Sequence, residues 1–558
     1  MSIFSSVRIR KPKRTAFDLS HEVKLTCDMG ELVPFFLQEV LPGDTFKVSV
    51  ETLVRFAPMI APVMHRVNVY THFFFVPNRL IWDEWKEFIT GGEDGSAEPV
   101  FPRAWFSPLD EALNGEKVPD MHSGGLCDYL GVPPFEDGDM SMVNVQFNLL
   151  PFRAYALIWN EYYRDQNLQE EIDFSLSSGL FNPYFSFGTS ATAGSFPGCN
   201  ELFQLRHRCW EKDYFTSALP FPQRLPNPVT VPVAGTDAEV YLDKTVRNNV
   251  HVISAVDGQL FTPGGMNPDG SRILQVGKVE PQVPVQLDPN GTLRADLTDA
   301  TGVSINELRR AFSLQRWLEN NARAGSRYIE QILSHFGVRS SDARLQRPEY
   351  LGGGKTPVVI SEVLQTSETE KSPQGNMAGN ATSYGRSHSF KRFFEEHGLV
   401  MGILSVMPRT SYQQGLPRLY GKFDKFDYYF PEFAHLGEQE IKQYEIWFDW
   451  QNQLDDDNSF NGPGRLFGYT PRYAEYRFVN GSVHGDFRDS LAFWHMGRIF
   501  ETDPALNGSF VTAQPFGHDK GFNRVFAVSG AQYDRLWVQM YINFKALRPL
   551  PKYGTPGL

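Results

Sequence analysis

The chain has 558 residues, a formal net charge of -12 and aromatic side chains at 14% of its positions. Four cysteines without CxxC pairs or zinc spacing, and 47 glycines with 38 prolines, indicate reduced thiols, many turns and few long helices. The longest apolar run, GLVMGILSVM, is about half a membrane span, and MSIFSSVRIRKPKRTAF has charges where a signal peptide needs an apolar core. The sequence thus predicts a β-rich body with long loops and no membrane insertion.

The first predicted segment, residues 1–40, begins with a basic arm. Residues 1–17 contain no acidic side chain, and Pro12 in RIRKPKR indicates extended backbone. Removing the arm's five positive charges from -12 leaves -17, so a cationic tip precedes an acidic body. We expect this arm to bind nucleic acid or another polyanion, and a solvated tail is the alternative. The candidate residues are Arg8, Arg10, Lys11, Lys13 and Arg14.

Two strands begin the second predicted segment, residues 41–225. In LPGDTFKVSVETLVRF, apolar residues occupy nearly every second position from Phe46 to Phe56, which predicts a half-buried strand. VNVYTHFFFV at 67–76 has rings at successive positions, which predicts a strand buried on both faces. His65 and His72 are accordingly interpreted as strand residues and not as metal ligands.

The stretch FFFVPNRLIWDEWKEFITGG concentrates aromatic rings after the second strand. We predict a short helix that is capped by Asn78, places Ile81, Trp85 and Phe88 on one stripe, and ends at Gly91 and Gly92. We expect the strand and the helix both to be covered, partly by a neighbouring subunit. The core and interface candidates are Phe74, Trp82, Trp85 and Phe88.

Two further helical regions follow along the chain. One begins at Pro151 and repeats aromatic residues at three- and four-residue spacing, from Phe152 to Tyr162. The other begins at Ser304, with Glu307 completing a capping box, breaks at Gly325 and ends at Gly337.

Residues 226–300 differ in composition from the rest of the chain. They contain two aromatic residues, Tyr241 and Phe261, and short strand-like pieces such as AEVYL and VHVISAV alternate with turns such as DPNGT. We interpret them as an inserted, solvent-facing β segment. The last predicted segment, 301–558, ends with the alternating strand RLWVQMYINF and a basic tail whose candidate nucleic-acid contacts are Lys545, Arg548 and Lys552.

No motif in the sequence points to catalysis. GGGKTP at 352–357 lacks the first glycine of a phosphate loop and precedes the strand-like VVI, so a glycine-rich turn is favoured over nucleotide binding. DDDNSFNG at 455–462 fits no EF-hand register, which leaves a solvated loop or a weak calcium site. HEVKL has leucine where a zinc protease needs its second histidine, and no G-x-S-x-G is present. We expect no cofactor.

Several long stretches, in order along the chain, resemble one family. They are FFFVPNRLIWDEWKEFITGG, DYFTSALPFPQR, RYIEQILSHFGV, GLVMGILSVMPRTSYQQGLPRLY and LPKYGTPGL. These stretches are similar to the major capsid proteins of Microviridae, the small icosahedral single-stranded DNA phages, and most of all to the gokushovirus type. The resemblance extends from near residue 8 to the end and omits the 226–300 segment.

The resemblance implies an eight-stranded antiparallel jelly roll, a β-sandwich with long inserted loops and a few short helices. It implies a T=1 shell of sixty copies around a circular single-stranded DNA genome, assembled in the bacterial cytoplasm. It also implies a surface protrusion near the threefold axes, where residues 226–300 would lie. We expect this exposed, repeated segment to meet a host receptor, and a small internal DNA-binding protein to be a further partner. The alternative function is a β-sandwich carbohydrate-binding protein or glycosidase, against which the basic arm and the missing signal peptide count.

Overall fold

The structure is a computed structural model. It describes residues 13–106, 123–134, 145–181, 199–224, 305–364, 377–386, 389–448, 465–514, 521–528 and 533–553, with residues 366 and 375 and five short strands between 240 and 295.

The strands, in chain order, are β1 Thr15–Asp18, β2 His21–Cys27, β3 Val33–Val40, β4 Thr45–Phe56, β5 Val67–Pro77, β6 Arg103–Phe106, β7 Val145–Asn148, β8 Leu180–Phe181, β9 Val240–Leu242, β10 Val252–Ser254, β11 Leu260–Phe261, β12 Val285–Leu287, β13 Leu293–Ala295, β14 Glu349–Pro357, β15 Val359–Leu364, β16 Met377–Arg386, β17 Phe390–Phe393, β18 Gly398–Pro408, β19 Ser411–Tyr412, β20 Glu438–Lys442, β21 Leu466–Pro471, β22 Gly481–Ser482 and β23 Leu536–Arg548.

Helices are short, with one exception. The α-helices are Trp85–Thr90, Leu126–Tyr129, Leu150–Ile158, Cys199–Leu202, Ile305–Ala324, Tyr328–Phe336 and Gly508–Val511, and Trp159–Tyr163 continues Leu150–Ile158 as a π-helix. The 3₁₀ turns are Asn78–Leu80, Arg418–Gly421, Lys425–Asp427, Pro431–Phe433, Gln443–Glu445, Ala474–Tyr476, Gly485–Arg488, Ala492–Trp494 and Gly521–Val525.

The larger of the two main sheets has seven strands in the order β1-β23-β4-β16-β15, with β2 also paired to β23 and β17 to β4. At its centre β4 and β23 pair antiparallel from Leu536 opposite Phe56 to Leu547 opposite Thr45. Both strands alternate buried and exposed side chains, as their sequences predicted. One face of this sheet therefore lies in the core.

The second main sheet has four strands in the order β14-β5-β18-β3. Every residue of β18 is buried, and His72 is the one residue of β5 that is not fully buried. This confirms that VNVYTHFFFV forms a strand covered on both faces. The apolar run GLVMGILSVM is thus a central strand of a sandwich.

The two sheets pack face to face across one hydrophobic core. The ring centroid of Phe36 in β3 lies 5.4 Å from that of Phe544 in β23, and the ring centroid of Phe46 in β4 lies 4.9 Å from that of Phe544. Edge-on ring pairs of this kind add to the stability that a core gains from burying apolar area. The predicted mainly β sandwich is therefore confirmed, while its division into eight jelly-roll strands stays a prediction.

A second aromatic cluster covers the outer face of the four-stranded sheet. It joins Phe74 of β5 to Trp82, Tyr155 of the helix Leu150–Ile158, and Phe203. The helix begins one residue before the predicted Pro151, and the Asn148 side chain accepts a hydrogen bond from the Leu150 amide at 2.8 Å. The β5 rings are thus buried by the chain itself on both sides.

Three predicted local structures are wrong. The Asn78 helix is a 3₁₀ turn followed by a separate α-helix, because the Asp83 amide donates to the Leu176 carbonyl at 3.2 Å and leaves the helical ladder. GGGKTP is not a turn: it lies within β14, paired to β5. His65 precedes β5 and is not a strand residue; its Nε2 lies 2.6 Å from the Arg409 carbonyl oxygen.

Three helix boundaries set by glycine are confirmed. Gly91, Gly325 and Gly337 each have positive φ, of 78°, 105° and 67°, which glycine adopts without a Cβ clash. They end the helices Trp85–Thr90, Ile305–Ala324 and Tyr328–Phe336, and Gly325 separates the last two. Ser304, the predicted cap residue, lies outside the described residues.

Residues 225–318 form a second compact unit, distinct from the unit that contains the sandwich. Its strands form a three-stranded sheet, β11-β10-β12, and a pair, β13-β9. The strands predicted within AEVYL and VHVISAV are confirmed as β9 and β10. The exposure of the 226–300 segment on a particle surface stays a prediction.

Candidate assembly surface and nucleic-acid contacts

Trp82 is the centre of the ring cluster that the sequence singled out. Its side chain is fully buried, and its Nε1–H donates to the Ser178 hydroxyl at 2.8 Å. The ring centroids of Phe88 and Phe101 lie 4.9 and 5.0 Å away. Trp82 is therefore a core residue, held at both its apolar body and its polar edge.

Trp85 and Phe88 lie at the outer margin of the same cluster. Trp85 is partly buried and contacts the Trp82 and His397 rings at 5.9 and 5.6 Å, whereas Phe88 is 40% exposed. Phe74 is buried beneath Tyr162, with centroids 4.8 Å apart. Phe74 and Trp82 are core residues of one chain, and cover of Trp85 and Phe88 by a neighbouring subunit stays a prediction.

The described residues of the basic arm lie next to the C-terminal strand β23 in the seven-stranded sheet. Arg8, Arg10 and Lys11 lie outside the described residues, while Lys13 and Arg14 are exposed just before β1. The β1–β23 pairing places Thr15 opposite Arg548 and Asp18 opposite Lys545. Candidate cations more than five hundred positions apart are thus brought together.

The described candidate cations differ in their partners. Lys545 and Lys552 are exposed, and the Lys552 ammonium lies 5.6 Å from the Tyr553 ring centroid. Arg14 lies over the Phe393 ring at 5.1 Å. Arg548 forms an ion pair with the buried Asp44 at 2.9 Å, so it also has a structural role. Contact of all these residues with nucleic acid stays a prediction.

One exposed aromatic surface was not predicted. We call it the Tyr420 surface; it comprises Leu419, Tyr420, Phe423, Phe426, Tyr428, Tyr429, Phe430, Leu436, Tyr476, Phe478 and Val479, each at least 40% exposed. Seven of the fourteen residues from 420 to 433 are aromatic, a density that could have identified it. Contiguous exposed apolar patches mark interaction sites, whereas single exposed rings do not.

Short turns and a buried ionic network hold the Tyr420 surface in place. Three 3₁₀ turns between residues 418 and 433 reverse the chain repeatedly, so no continuous helix or strand buries the rings. Beneath them Arg418 contacts Glu445 at 3.0 Å and Lys422 contacts Glu475 at 2.9 Å. Burial raises the pKa of Glu445. The rings are therefore displayed from a fixed base.

The described residues show neither a candidate metal site nor a helix that could span a membrane. Among them no cluster of three or more His, Cys, Asp or Glu side chains could hold a metal ion. Within the same residues no helix combines the length and apolarity that crossing a membrane requires. HEVKL lies in β2, and DDDNSFNG at 455–462 lies outside the described part of the chain.

Comparison with known proteins gives consistent matches over the whole chain. Residues 5–558 match the family described as capsid protein (F protein). The chain is 38% identical to capsid protein VP1 of Chlamydia phage 1, over 100% of this chain and 97% of that protein. It is 34% identical to capsid protein VP1 of Bdellovibrio phage phiMH2K, over 98% and 95%. It is 31% identical to capsid protein VP1 of Spiroplasma virus 4, over 100% and 97%.

Proposed function

The chain belongs to the capsid protein (F protein) family, and from that premise we propose that sixty copies form a T=1 shell around a circular single-stranded DNA genome. The family and the relatives make the protein a structural virion component of the gokushovirus type that assembles with itself, and not an enzyme. This replaces the alternative of a carbohydrate-binding protein or glycosidase.

The Tyr420 surface is the observation that supports assembly most directly. A protein that stays a monomer rarely exposes eleven large apolar side chains in two adjoining stretches. Aromatic residues are enriched in interface cores, where they supply most of the binding energy. Because a capsid protein assembles with itself, the partner for this surface is a second copy of the chain.

Substitution in this surface tests the assembly proposal. Tyr420→Ser and Phe423→Ser remove rings that are 62% and 63% exposed, so the isolated subunit should fold normally. Each should weaken the subunit contact by about 2 kcal/mol, as interface hot spots do. Tyr384→Ser, at a ring outside the Tyr420 surface that is 73% exposed, is the matched control. Equal particle yields for all three variants would remove the surface from the assembly contact.

The placement of the described basic residues supports the DNA part of the proposal. Lys13 and Arg14 immediately precede β1, which pairs with the strand β23 that carries Lys545, so cations from the two ends of the sequence lie in one part of a chain whose net charge is -12. We place this part of the chain toward the genome, with a small internal DNA-binding protein as a further partner. Assembly would take place in the bacterial cytoplasm.

Residues 226–300 are proposed as a surface protrusion for host attachment. The segment belongs to the second compact unit and its described strands have two or three residues each. Long insertions cost little closure entropy, and a loop repeated around a shell multiplies weak contacts. Replacing residues 229–298 with a Gly-Ser linker should leave particles intact and reduce adsorption to cells. Loss of particles would make the segment structural, and normal adsorption would remove the attachment role.

A further inference from the structure

A cavity of about 470 Å³ opens on the outer face of the four-stranded sheet, between β5, the π-helix Trp159–Tyr163 and residues 208–212. Its walls are mainly rings: His72, Phe74, Tyr162, Tyr163 and Tyr350. Tyr350 is 47% exposed at the mouth and lies 5.9 Å from the His72 ring and 5.5 Å from the Phe74 ring. The volume is that of ordinary small-molecule sites.

The rim of this cavity has the opposite charge sign to the chain. Arg164, Arg208 and Lys212 line it against Asp165 and Glu211, and Lys355 approaches Glu211 to 3.5 Å from beside the rim. Arg164 also pairs with Glu171 at 3.3 Å, so four cations against three acids leave a surplus of one positive charge in a protein of net charge -12. An anionic group would therefore be attracted to this rim and repelled by most of the remaining surface.

Arg208 is the cation of this rim whose charge is not paired with a carboxylate among the described residues. Its Nη1 donates to the Ser405 hydroxyl at 3.0 Å, and its guanidinium stacks over the Tyr70 ring at 4.0 Å. Among the described residues no carboxylate forms an ion pair with it. Its planar fork of donors is preformed and suits phosphate oxygens.

His72 adds a neutral polar group to the cavity floor. Burial, and after it the charge of Arg208, lowers the pKa of His72 to about 4. Its Nδ1 lies 2.8 Å from the Tyr163 hydroxyl, which fixes the ring. A neutral imidazole can donate or accept a hydrogen bond at its other nitrogen without adding charge.

We propose that this cavity binds one nucleotide of single-stranded DNA, with the base packed on the exposed Tyr350 ring and the phosphate held by Arg208 and Lys355. A nucleotide combines a flat aromatic ring with an anion, which is the combination that the walls and the rim complement. Ring stacking next to a cationic groove is the general way in which proteins hold single strands without reading their sequence. The inference rests on the proposed function, since a capsid interior would supply the DNA.

Binding of fluorescein-labelled hexathymidylate to the unassembled full-length protein tests this site. Tyr350→Ala should weaken binding about tenfold, as loss of one stacked base does, and Tyr350→Phe should restore it. Arg208→Gln should weaken binding and reduce the salt slope by about 0.7, the value for one phosphate contact on a single strand. Tyr384→Ala, at an exposed tyrosine of the other main sheet, is the matched control.

Glu211→Gln gives the sharpest outcome, because general damage to the fold would weaken binding. Removing this carboxylate from the rim should instead strengthen binding, by roughly two- to fivefold for one partly exposed charge. No hexathymidylate binding by the native protein, or equal effects of Tyr350→Ala and Tyr384→Ala, would overturn the site. Particle formation by the same variants is scored separately by electron microscopy: intact shells with no cavity effect would refute the cavity alone, and absent native shells would refute the proposed function.

Discussion

The Arg548 guanidinium lies 2.9 Å from a carboxylate oxygen of Asp44, a residue 504 positions earlier whose side chain is fully buried. The same oxygen accepts a hydrogen bond from the Leu41 amide at 2.9 Å, and Arg548 also donates to the Glu39 carbonyl at 2.6 Å. The pair therefore ties the end of β23 to the turn between β3 and β4.

Arg548→Gln should lower the free energy of unfolding of the subunit, in addition to any effect on DNA binding. Removing the guanidinium leaves the Asp44 charge buried and unpaired, which typically costs about 3–5 kcal/mol. Lys545→Gln, three residues earlier on the same strand and exposed, should change stability by less than about 0.5 kcal/mol. Urea unfolding of both variants measures the difference. Similar midpoints would mean that the Asp44–Arg548 pair contributes little.

Alanine variants of Trp82 and Trp85 should affect subunit stability and shell assembly to different extents. Trp82→Ala removes a fully buried ring and should cost the isolated subunit about 3–5 kcal/mol. Trp85→Ala, at a partly buried ring, should cost the subunit less and reduce shell yield and shell thermal stability more. Soluble protein, particle yield and particle melting temperature are compared. Normal shells from Trp85→Ala would refute the interface role of this segment.

The basic arm should control the salt dependence of DNA binding. Replacing Arg8, Arg10, Lys11, Lys13 and Arg14 with glutamine removes up to five phosphate contacts. Full engagement would contribute a slope of about -3.5 to log affinity against log salt on single strands. Titration of single-stranded DNA at several salt concentrations measures it. An unchanged slope would make the arm a solvated tail.

Subunit stability should fall as the pH decreases from 6.5 to 4. The pKa of His72 is lowered from 6.5 in the unfolded chain to about 4, so in this window the unfolded chain binds a proton that the folded one does not. The stabilisation is therefore present above pH 6.5 and is lost on acidification, by up to about 1.4 kcal/mol per pH unit. His72→Gln should reduce the dependence of the urea midpoint on pH, and His65, whose pKa burial also lowers to about 4, should retain part of it. His484→Gln, at an exposed position, is the control, and an equal reduction would contradict the prediction.

Local periodicity predicted much of the sandwich, because alternation along a strand fixes which side chains face the core. Phe46 to Phe56 in β4 and Leu536 to Phe544 in β23 follow this rule along their whole length. The glycine content of GGGKTP predicted a turn, and this prediction was wrong. The segment pairs with β5, and a Cβ on Gly353 would lie 2.5 Å from the Thr71 carbonyl oxygen, so glycine there permits close strand approach.

The surfaces were harder to predict than the strands, because exposure depends on contacts between distant residues. The rings of the Tyr420 surface have the composition of a core, and only the placement of the turns between 418 and 433 shows that they are exposed. Similarly, charge alone grouped Arg548 with Lys545 and Lys552. The buried partner Asp44 distinguishes it, and that partner lies at the opposite end of the sequence.

Electron microscopy of the purified full-length protein, with particle mass from analytical ultracentrifugation, tests the central claim most directly. We expect closed icosahedral shells with the mass of sixty chains, disrupted when rings of the Tyr420 surface are replaced. Single subunits or small open oligomers across assembly conditions, with a mass far below sixty chains, would contradict it.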